Sequence, residues 1–289
     1  ESIIDQPIGL FAVSDTSGST TVKEVYAEFL VPLLDDLPLI KDLNLELGVR
    51  HSDYNTAGGE LTWKALMDWS LTDTFAFRGG YQVASRAPNT AELFTGSTLF
   101  VAPFPVGDPC ASNTQAPWGN VASNPDRLQV QQLCSAIIGA NGASNYDLNP
   151  GSYVGPFGFF TLEIENRTGN PTLQTEEAKT WTFGFVLNSP SRNFTASLDW
   201  YDIELSGAIN PLSAVTTYQL CLNANGTSNP EYALDDPGGF CRFITRDRIS
   251  GDRLRVDAPY FNRGGIKTSG VDLALAWRSD FADIGLQSV

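Results

Sequence analysis

The chain has 289 residues, of which 42% are hydrophobic and 18% charged, which is enough to bury a sizeable core and argues against intrinsic disorder. Its 33 acidic and 18 basic residues give a formal net charge of −15, which repels phosphate backbones and argues against a nucleic-acid partner. No run of 18 apolar residues occurs, so no membrane-spanning helix is predicted.

Segments of strict two-residue alternation recur along the chain and are longer than the strands of ordinary soluble sheets. In one of them, Leu43, Leu45 and Leu47 alternate with Asn44 and Glu46. Glycines and aromatic residues are frequent whereas methionine occurs once, which also favours strands and turns. The predicted strands are, in chain order, 21–34, 43–54, 61–70, 75–84, 180–187, 194–201 and 271–277.

The distribution of charge separates a membrane sheet from a soluble β-sandwich. The apolar faces of the predicted strands carry no charge, as lipid requires, while the opposite faces hold residues such as Lys64 and Arg78. Aromatic residues near strand ends are typical of an interfacial girdle, here Trp69, Phe75, Trp181, Trp200 and Tyr201. The pattern therefore predicts an all-β chain that is part of a large antiparallel transmembrane β-barrel.

The connections between predicted strands are short at one end and long at the other, except for YNTAGGE, a short connection that is assigned to the end with the long loops. Residues 86–175 and 206–265 are far longer than ordinary connections, and barrels of the outer membrane have long loops on the extracellular side. Each long loop is predicted to hold a helix, over residues 125–139 and 210–221. In the second helix Asn210 is the expected cap and Pro211 lies in the first turn.

Four cysteines fall as two local pairs inside the long loops. Cys110 with Cys134 and Cys221 with Cys241 are predicted to form disulfides, each of which would close a long loop. Free thiols or a metal site are the alternatives, although no CxxC motif or neighbouring histidine supports zinc.

Catalytic chemistry has little support in the sequence. The only histidine, His51, is expected to be a solvated residue at a strand end, and no hydrolase, metalloprotease, P-loop or dinucleotide motif occurs. Arg86 with Glu92 is interpreted as fixing a strand-to-loop turn rather than as a reactive pair. We therefore expect no enzyme activity, no cofactor and no metal site.

Aromatic residues in the first long loop are the candidates for ligand contact. Rings of this kind stack on sugars and on flat iron-chelating groups alike, so they indicate binding without naming the ligand. The alternative is a self-packed core around the Cys110 and Cys134 pair. The candidates are Phe100, Phe104, Trp118, Tyr146, Tyr153, Phe157, Phe159 and Phe160.

Particular residues resemble the TonB-dependent outer-membrane receptors. The segment RAPNTAELF resembles a strand-and-loop signature of that family, and NPTLQTEE, at the start of a later strand, resembles a second one. Further matches in the family's order are EVYAEFLVPLL, LNLELGVRHSDY, SLDWYDIELSGAI and GGIKTSGVDLALAW. The residues of the first signature, expected to be structural, are Arg86, Ala87, Pro88, Asn89, Glu92, Leu93 and Phe94.

The resemblance implies a 22-stranded barrel in the outer membrane of a Gram-negative bacterium, closed around an N-terminal plug. Residues 1–289 are then expected to be a fragment of one barrel domain, without the plug and the remaining strands. The implied partners are outer-membrane lipid, a small-molecule nutrient, and the inner-membrane TonB energy-coupling complex acting through the missing N-terminal region.

Two function hypotheses follow from these observations. The first is an energy-coupled receptor and transporter that imports a scarce nutrient, either an oligosaccharide or an iron-siderophore. The second is a soluble or surface-attached β-rich carbohydrate-binding module without transport. Folding in buffer without detergent would favour the second hypothesis.

Overall fold

The computed structural model describes residues 14–146, 148, 162–191 and 193–278. Within them the chain forms two compact units, each assembled from separated stretches of sequence. We call residues 20–89, 172–209 and 262–289 the strand unit, and residues 1–19, 90–171 and 210–261 the loop unit. Among the described residues, no helix combines the length and the apolarity needed to cross a membrane.

The secondary-structure elements follow the chain as a run of long strands interrupted by two mixed regions. The strands are β1 (Val22–Leu37), β2 (Ile40–Tyr54), β3 (Gly58–Ser70), β4 (Phe75–Arg86), β5 (Thr98–Pro103), β6 (Leu162–Thr168), β7 (Glu176–Asn188), β8 (Phe194–Ser206), β9 (Ile209–Pro211), β10 (Ile244–Arg246), β11 (Arg253–Asn262) and β12 (Gly265–Trp277). The helices are α1 (Thr90–Phe94), α2 (Arg127–Ile138), α3 (Ala140–Asn145) and α4 (Ala214–Cys221).

The strand unit is one antiparallel sheet in the order β1-β2-β3-β4-β7-β8-β12. All seven strands were predicted from alternation, and the sheet confirms them. Its register places the apolar faces of neighbouring strands on the same side of the sheet. A shift of one residue would move every side chain of a strand to the opposite face. One row across the whole sheet is apolar and consists of Val31, Leu45, Met67, Gly79, Phe183, Trp200 and Val271.

The apolar face of this sheet is exposed, with Val271 at 61% and Leu273 at 66%. Near one end of the band the ring of Tyr81 contacts those of Trp63 and Trp181, with centroid distances of 5.2 and 4.5 Å. Past Trp181, towards the long loops, the same face carries charged residues such as Lys179, which pairs with Glu177 at 3.1 Å. At this end the uncharged band is therefore bounded by aromatic rings over β3, β4 and β7. Tyr201, predicted for the aromatic girdle, points to the polar face.

The loop unit contains a second sheet that the alternation pattern did not predict. Its order is β10-β11-β6-β5, with β9 paired to β11. β6 belongs to the first long loop and β11 to the second, and the two strands pair in parallel, with Val256 opposite Glu165. Two separate connections in the sequence therefore form one folded body.

The helix predicted over residues 125–139 is confirmed as α2, whereas the second helix begins later than expected. Residues Ile209–Pro211 form β9, so Asn210 and Pro211 lie outside the helix. Ser213 is the actual cap, and its side chain accepts a hydrogen bond from the amide of Thr216 at 3.2 Å. Pairing with β11 fixes the backbone before Ser213 in an extended form, which overrides the local capping signal.

Both disulfides form as predicted. Cys110 bonds to Cys134 and Cys221 to Cys241, and all four sulfur-bearing side chains lie in the core of the loop unit. That core draws on both long loops, since it also contains Val130 of α2, Tyr218 of α4 and Val256 of β11.

Replacing Cys221 and Cys241 together by serine is expected to lower the free energy of unfolding of the loop unit by about 3 kcal/mol, because the bond closes a loop about 20 residues long. Thermal unfolding of the full-length protein would measure this loss. Reductant without denaturant should leave the wild type unchanged, since Cys221 is 0% and Cys241 2% exposed. Reduction of the native protein at the rate of an exposed disulfide would contradict this placement.

Candidate functional site

The polar face of the sheet carries ion pairs that reach across an intervening strand. The ammonium of Lys64 on β3 lies 3.0 Å from Glu28 on β1, and Gly48 on β2 stands between them. A Cβ at Gly48 would lie 2.8 Å from Cε of Lys64, so a side chain there would displace Lys64 from this path.

The same arrangement recurs farther along the sheet. Arg78 on β4 donates two hydrogen bonds to Asp199 on β8, at 2.8 and 2.7 Å. Gly184 on β7 lies between them, and a Cβ there would collide with the Asp199 carboxylate. Lys64 and Arg78 thus each reach over a glycine to a carboxylate two strands away.

The two sequence signatures meet in an ion pair. Arg86, from the first signature, donates to Glu176 with Nε 2.6 Å from Oε2, and Glu176 is the last residue of the NPxLxxE pattern. The other oxygen of Glu176 accepts the amide of Ile209 at 2.6 Å. One carboxylate therefore ties the end of β4 to the start of β7 and to the segment that follows β8.

Three of the remaining signature residues are packed in the interior, whereas Asn89 is exposed. Pro88, Glu92 and Leu93 are buried. The carbonyl of Glu92 accepts the amide of Asn170 at 2.9 Å, and the Asn170 side chain donates to the Tyr260 carbonyl at 2.8 Å. These contacts support the structural interpretation of the signature.

The candidate ligand-contact aromatics divide into three groups. Phe104 and Tyr146 belong to the core of the loop unit, at 0% and 3% exposure, in the same cluster as Cys110 and Cys134. Trp118 is partly buried against that core, whereas Phe100 is 41% exposed with Arg167 stacked 4.6 Å from its ring centre. Outside the described residues lie Tyr153, Phe157, Phe159 and Phe160.

A charged cluster that the sequence did not indicate is buried in the loop unit. Arg246 of β10 donates from Nη1 to Asp108 Oδ1 at 3.0 Å and to the Tyr218 hydroxyl at 3.2 Å. The Tyr146 hydroxyl donates to the other Asp108 oxygen. Because Asp108 and Arg246 belong to different long loops and are almost fully buried, this pair joins the loops electrostatically.

A second buried pair lies beside the first and has a different titration behaviour. Arg253 donates to Glu163 at 2.9 Å. Burial raises the pKa of Glu163 above its usual value, and Arg253 only partly opposes this effect. Burial also acts to raise the pKa of Asp108, but the guanidinium of Arg246 outweighs it and holds that pKa below its usual value.

The lowered pKa of Asp108 predicts a loss of stability in acid. Its contribution is present above the unfolded-state pKa of 3.8 and disappears as pH falls through the lower folded-state pKa. Glu163 acts with the opposite sign, since its contribution is present below 4.5 and is lost as pH rises through its raised folded-state pKa. Thermal unfolding of the wild type and of Asp108→Asn should therefore differ most near neutral pH and converge in acid, and a difference independent of pH would contradict this assignment.

A groove of about 630 Å³ lies on the polar face over β1 to β4. We call it the wall groove. It occupies the end of these strands at which β4 leads into the first long loop, and its charged and polar lining includes Glu24, Tyr26, Glu28, Arg50, Lys64 and Gln82.

Metal ligation finds no support within the described parts of the chain, where no cluster of three or more His, Cys, Asp or Glu side chains could hold an ion. Asp236 in the second long loop has a structural role. Its two oxygens accept the amides of Phe240 and Cys241, at 2.8 and 2.9 Å.

Comparison with known proteins places these features in a family. No curated protein matches the sequence. Similar solved structures include the siderophore receptor PirA from Acinetobacter baumannii, with 14% identity, a TM-score of 0.45 and coverage of 91% of this chain and 26% of that one. The ferric enterobactin receptor PfeA from Pseudomonas aeruginosa is 12% identical, with a TM-score of 0.47 and coverage of 88% and 24%.

This chain thus spans about a quarter of the length of those receptors. The family model described as "TonB dependent receptor-like, beta-barrel" matches residues 3–288. Because this match extends over nearly the whole sequence, the chain belongs to the TonB-dependent receptor family, in the region of its β-barrel.

Proposed function

We propose that this chain forms part of the wall and the outer loops of an energy-coupled receptor that imports a scarce nutrient across the outer membrane of a Gram-negative bacterium. Membership of the TonB-dependent receptor family is the observation that carries the proposal. The imported ligand is an oligosaccharide or an iron-siderophore, and the partner that supplies energy is the TonB complex.

The two faces of the sheet support a position in a membrane. An apolar row crosses all seven strands, and the neighbouring polar row contains Asp68, Arg78 and Asp199. Hydrocarbon on one side and an aqueous or protein-filled interior on the other would account for this separation. The open edges of β1 and β12 would then pair with further strands, because unpaired backbone groups are costly in lipid.

The loop unit supports the assignment of the outer side. Its two disulfides lie in the two long connections, and disulfides persist in oxidising surroundings such as the cell surface. Ligand would contact this unit and the polar face of the sheet before passing inward.

Uptake by cells carrying or lacking the full-length gene tests the transport function. Labelled neutral oligosaccharides and ferric siderophores would be supplied in parallel, with a protonophore control to remove the energy source. We expect uptake of one class to depend on the gene and to stop when the proton gradient is dissipated. Unchanged uptake of every candidate would count against transport.

A requirement for detergent tests the membrane position and distinguishes the transporter from the alternative, a soluble carbohydrate-binding module. The full-length protein should remain in the outer-membrane fraction and need detergent for extraction. A monodisperse, folded protein in buffer alone would favour the soluble module.

A further inference from the structure

We propose that the wall groove binds a neutral, polyhydroxylated part of the imported ligand, such as a segment of an oligosaccharide. This inference rests on the proposed function, because it requires the groove to face the path of the ligand. It goes further by naming the chemical class of the ligand and one surface that contacts it.

The first argument is that both cations of the groove are already paired. Arg50 donates to Glu24, which also accepts the Ser52 hydroxyl at 2.8 Å. Lys64 lies 3.0 Å from Glu28 and 2.6 Å from Glu46. The lining of the groove thus holds two cations and two carboxylates, and each cation already has a carboxylate partner. An anionic ligand would have to displace a carboxylate to reach either cation.

The second argument concerns the groups that the groove offers to a ligand. Tyr26 is 73% exposed and can present its ring to the apolar C–H face of a sugar. Gln82 is exposed and Thr62 half-buried in the same groove, and both side chains can donate and accept hydrogen bonds. An aromatic ring beside neutral donors and acceptors matches hydroxyl-rich ligands.

The net charge of the whole chain also disfavours an anionic ligand. A formal net charge of −15 lowers the local concentration of anions, and ferric tris-catecholate complexes are strongly anionic. Neutral sugars are unaffected by this field. The electrostatics of the groove and of the chain therefore both favour a neutral ligand over an anionic iron complex.

Binding to the full-length receptor in detergent tests the proposal by calorimetry. The probes are malto-, cello-, xylo- and N-acetylchito-oligosaccharides and a ferric tris-catecholate. We expect at least one neutral oligosaccharide to bind more tightly than the ferric complex, and Tyr26→Ala to weaken it about tenfold. Tyr201→Ala is the matched control, because Tyr201 lies on the same polar face but lines a different pocket.

A charge variant gives an independent result. Glu24→Gln leaves Arg50 without its carboxylate and is expected to raise the affinity for the ferric complex several-fold, with Asp272→Gln on the same face as the control. Tighter binding of the ferric complex by the wild type, or no binding of any of the neutral oligosaccharides, overturns the ligand class. Equal losses for Tyr26→Ala and Tyr201→Ala overturn the placement.

Uptake distinguishes failure of this inference from failure of the proposed function. Gene-dependent uptake of the ferric complex alone would overturn the neutral ligand and leave the transporter intact. Gene-independent uptake of every probe would overturn both.

Discussion

Replacing Asp108 by alanine is expected to lower the free energy of unfolding of the loop unit by about 3 to 5 kcal/mol. The reason is the partner that remains: Arg246 has 0% side-chain exposure, and without Asp108 its charge would be buried and uncompensated. Tyr146 would also lose the acceptor of its hydroxyl hydrogen bond. Hydrogen exchange of the loop segments in the full-length protein, under increasing denaturant, would measure the loss.

Two further variants show whether the buried charge is the cause. Asp108→Ala combined with Arg246→Met should be less damaging than Asp108→Ala alone, because the double variant removes the unpaired charge. Arg255→Met should cost less than about 1 kcal/mol, since Arg255 is about half exposed in its pair with Asp257. A double variant at least as damaging as Asp108→Ala alone would contradict the electrostatic explanation.

Two adjacent residues of β3 are expected to respond oppositely to arginine. Met67→Arg places a charge in the apolar row that crosses the sheet and should cost about 2 to 4 kcal/mol in a bilayer. Leu66→Arg places the same side chain on the polar face, opposite Glu46, and should cost less than about 1 kcal/mol. Equilibrium unfolding of the full-length protein from lipid vesicles would measure both changes.

The two variants are closely matched, because both positions lie on β3 at similar depth and both receive an arginine. Only the face of the sheet differs. Equal costs for Met67→Arg and Leu66→Arg would mean that lipid does not cover the apolar face, and the membrane position would then be wrong. A second pair on β2, Leu45→Arg and Asn44→Arg, should reproduce the difference.

The two sequence signatures predicted only part of the candidate site. They identified Arg86 and the NPxLxxE segment, but not that Glu176 of this segment is the partner of Arg86. Spacing alone could not reveal the pair, since 90 residues separate its members. Likewise, aromatic residues in a loop gave no means of separating Phe104, which is in the core, from Phe100, which is partly exposed.

The sequence by itself determined the seven long strands, their two faces and the pairing of the cysteines, because these features depend on residues close together along the chain. Only the tertiary structure decided the register that lets Lys64 and Arg78 reach across glycines, and the parallel pairing of β6 with β11. It also decided the burial of Asp108 with Arg246, which lie 138 residues apart. Such contacts depend on how distant segments meet, and no local periodicity encodes that meeting.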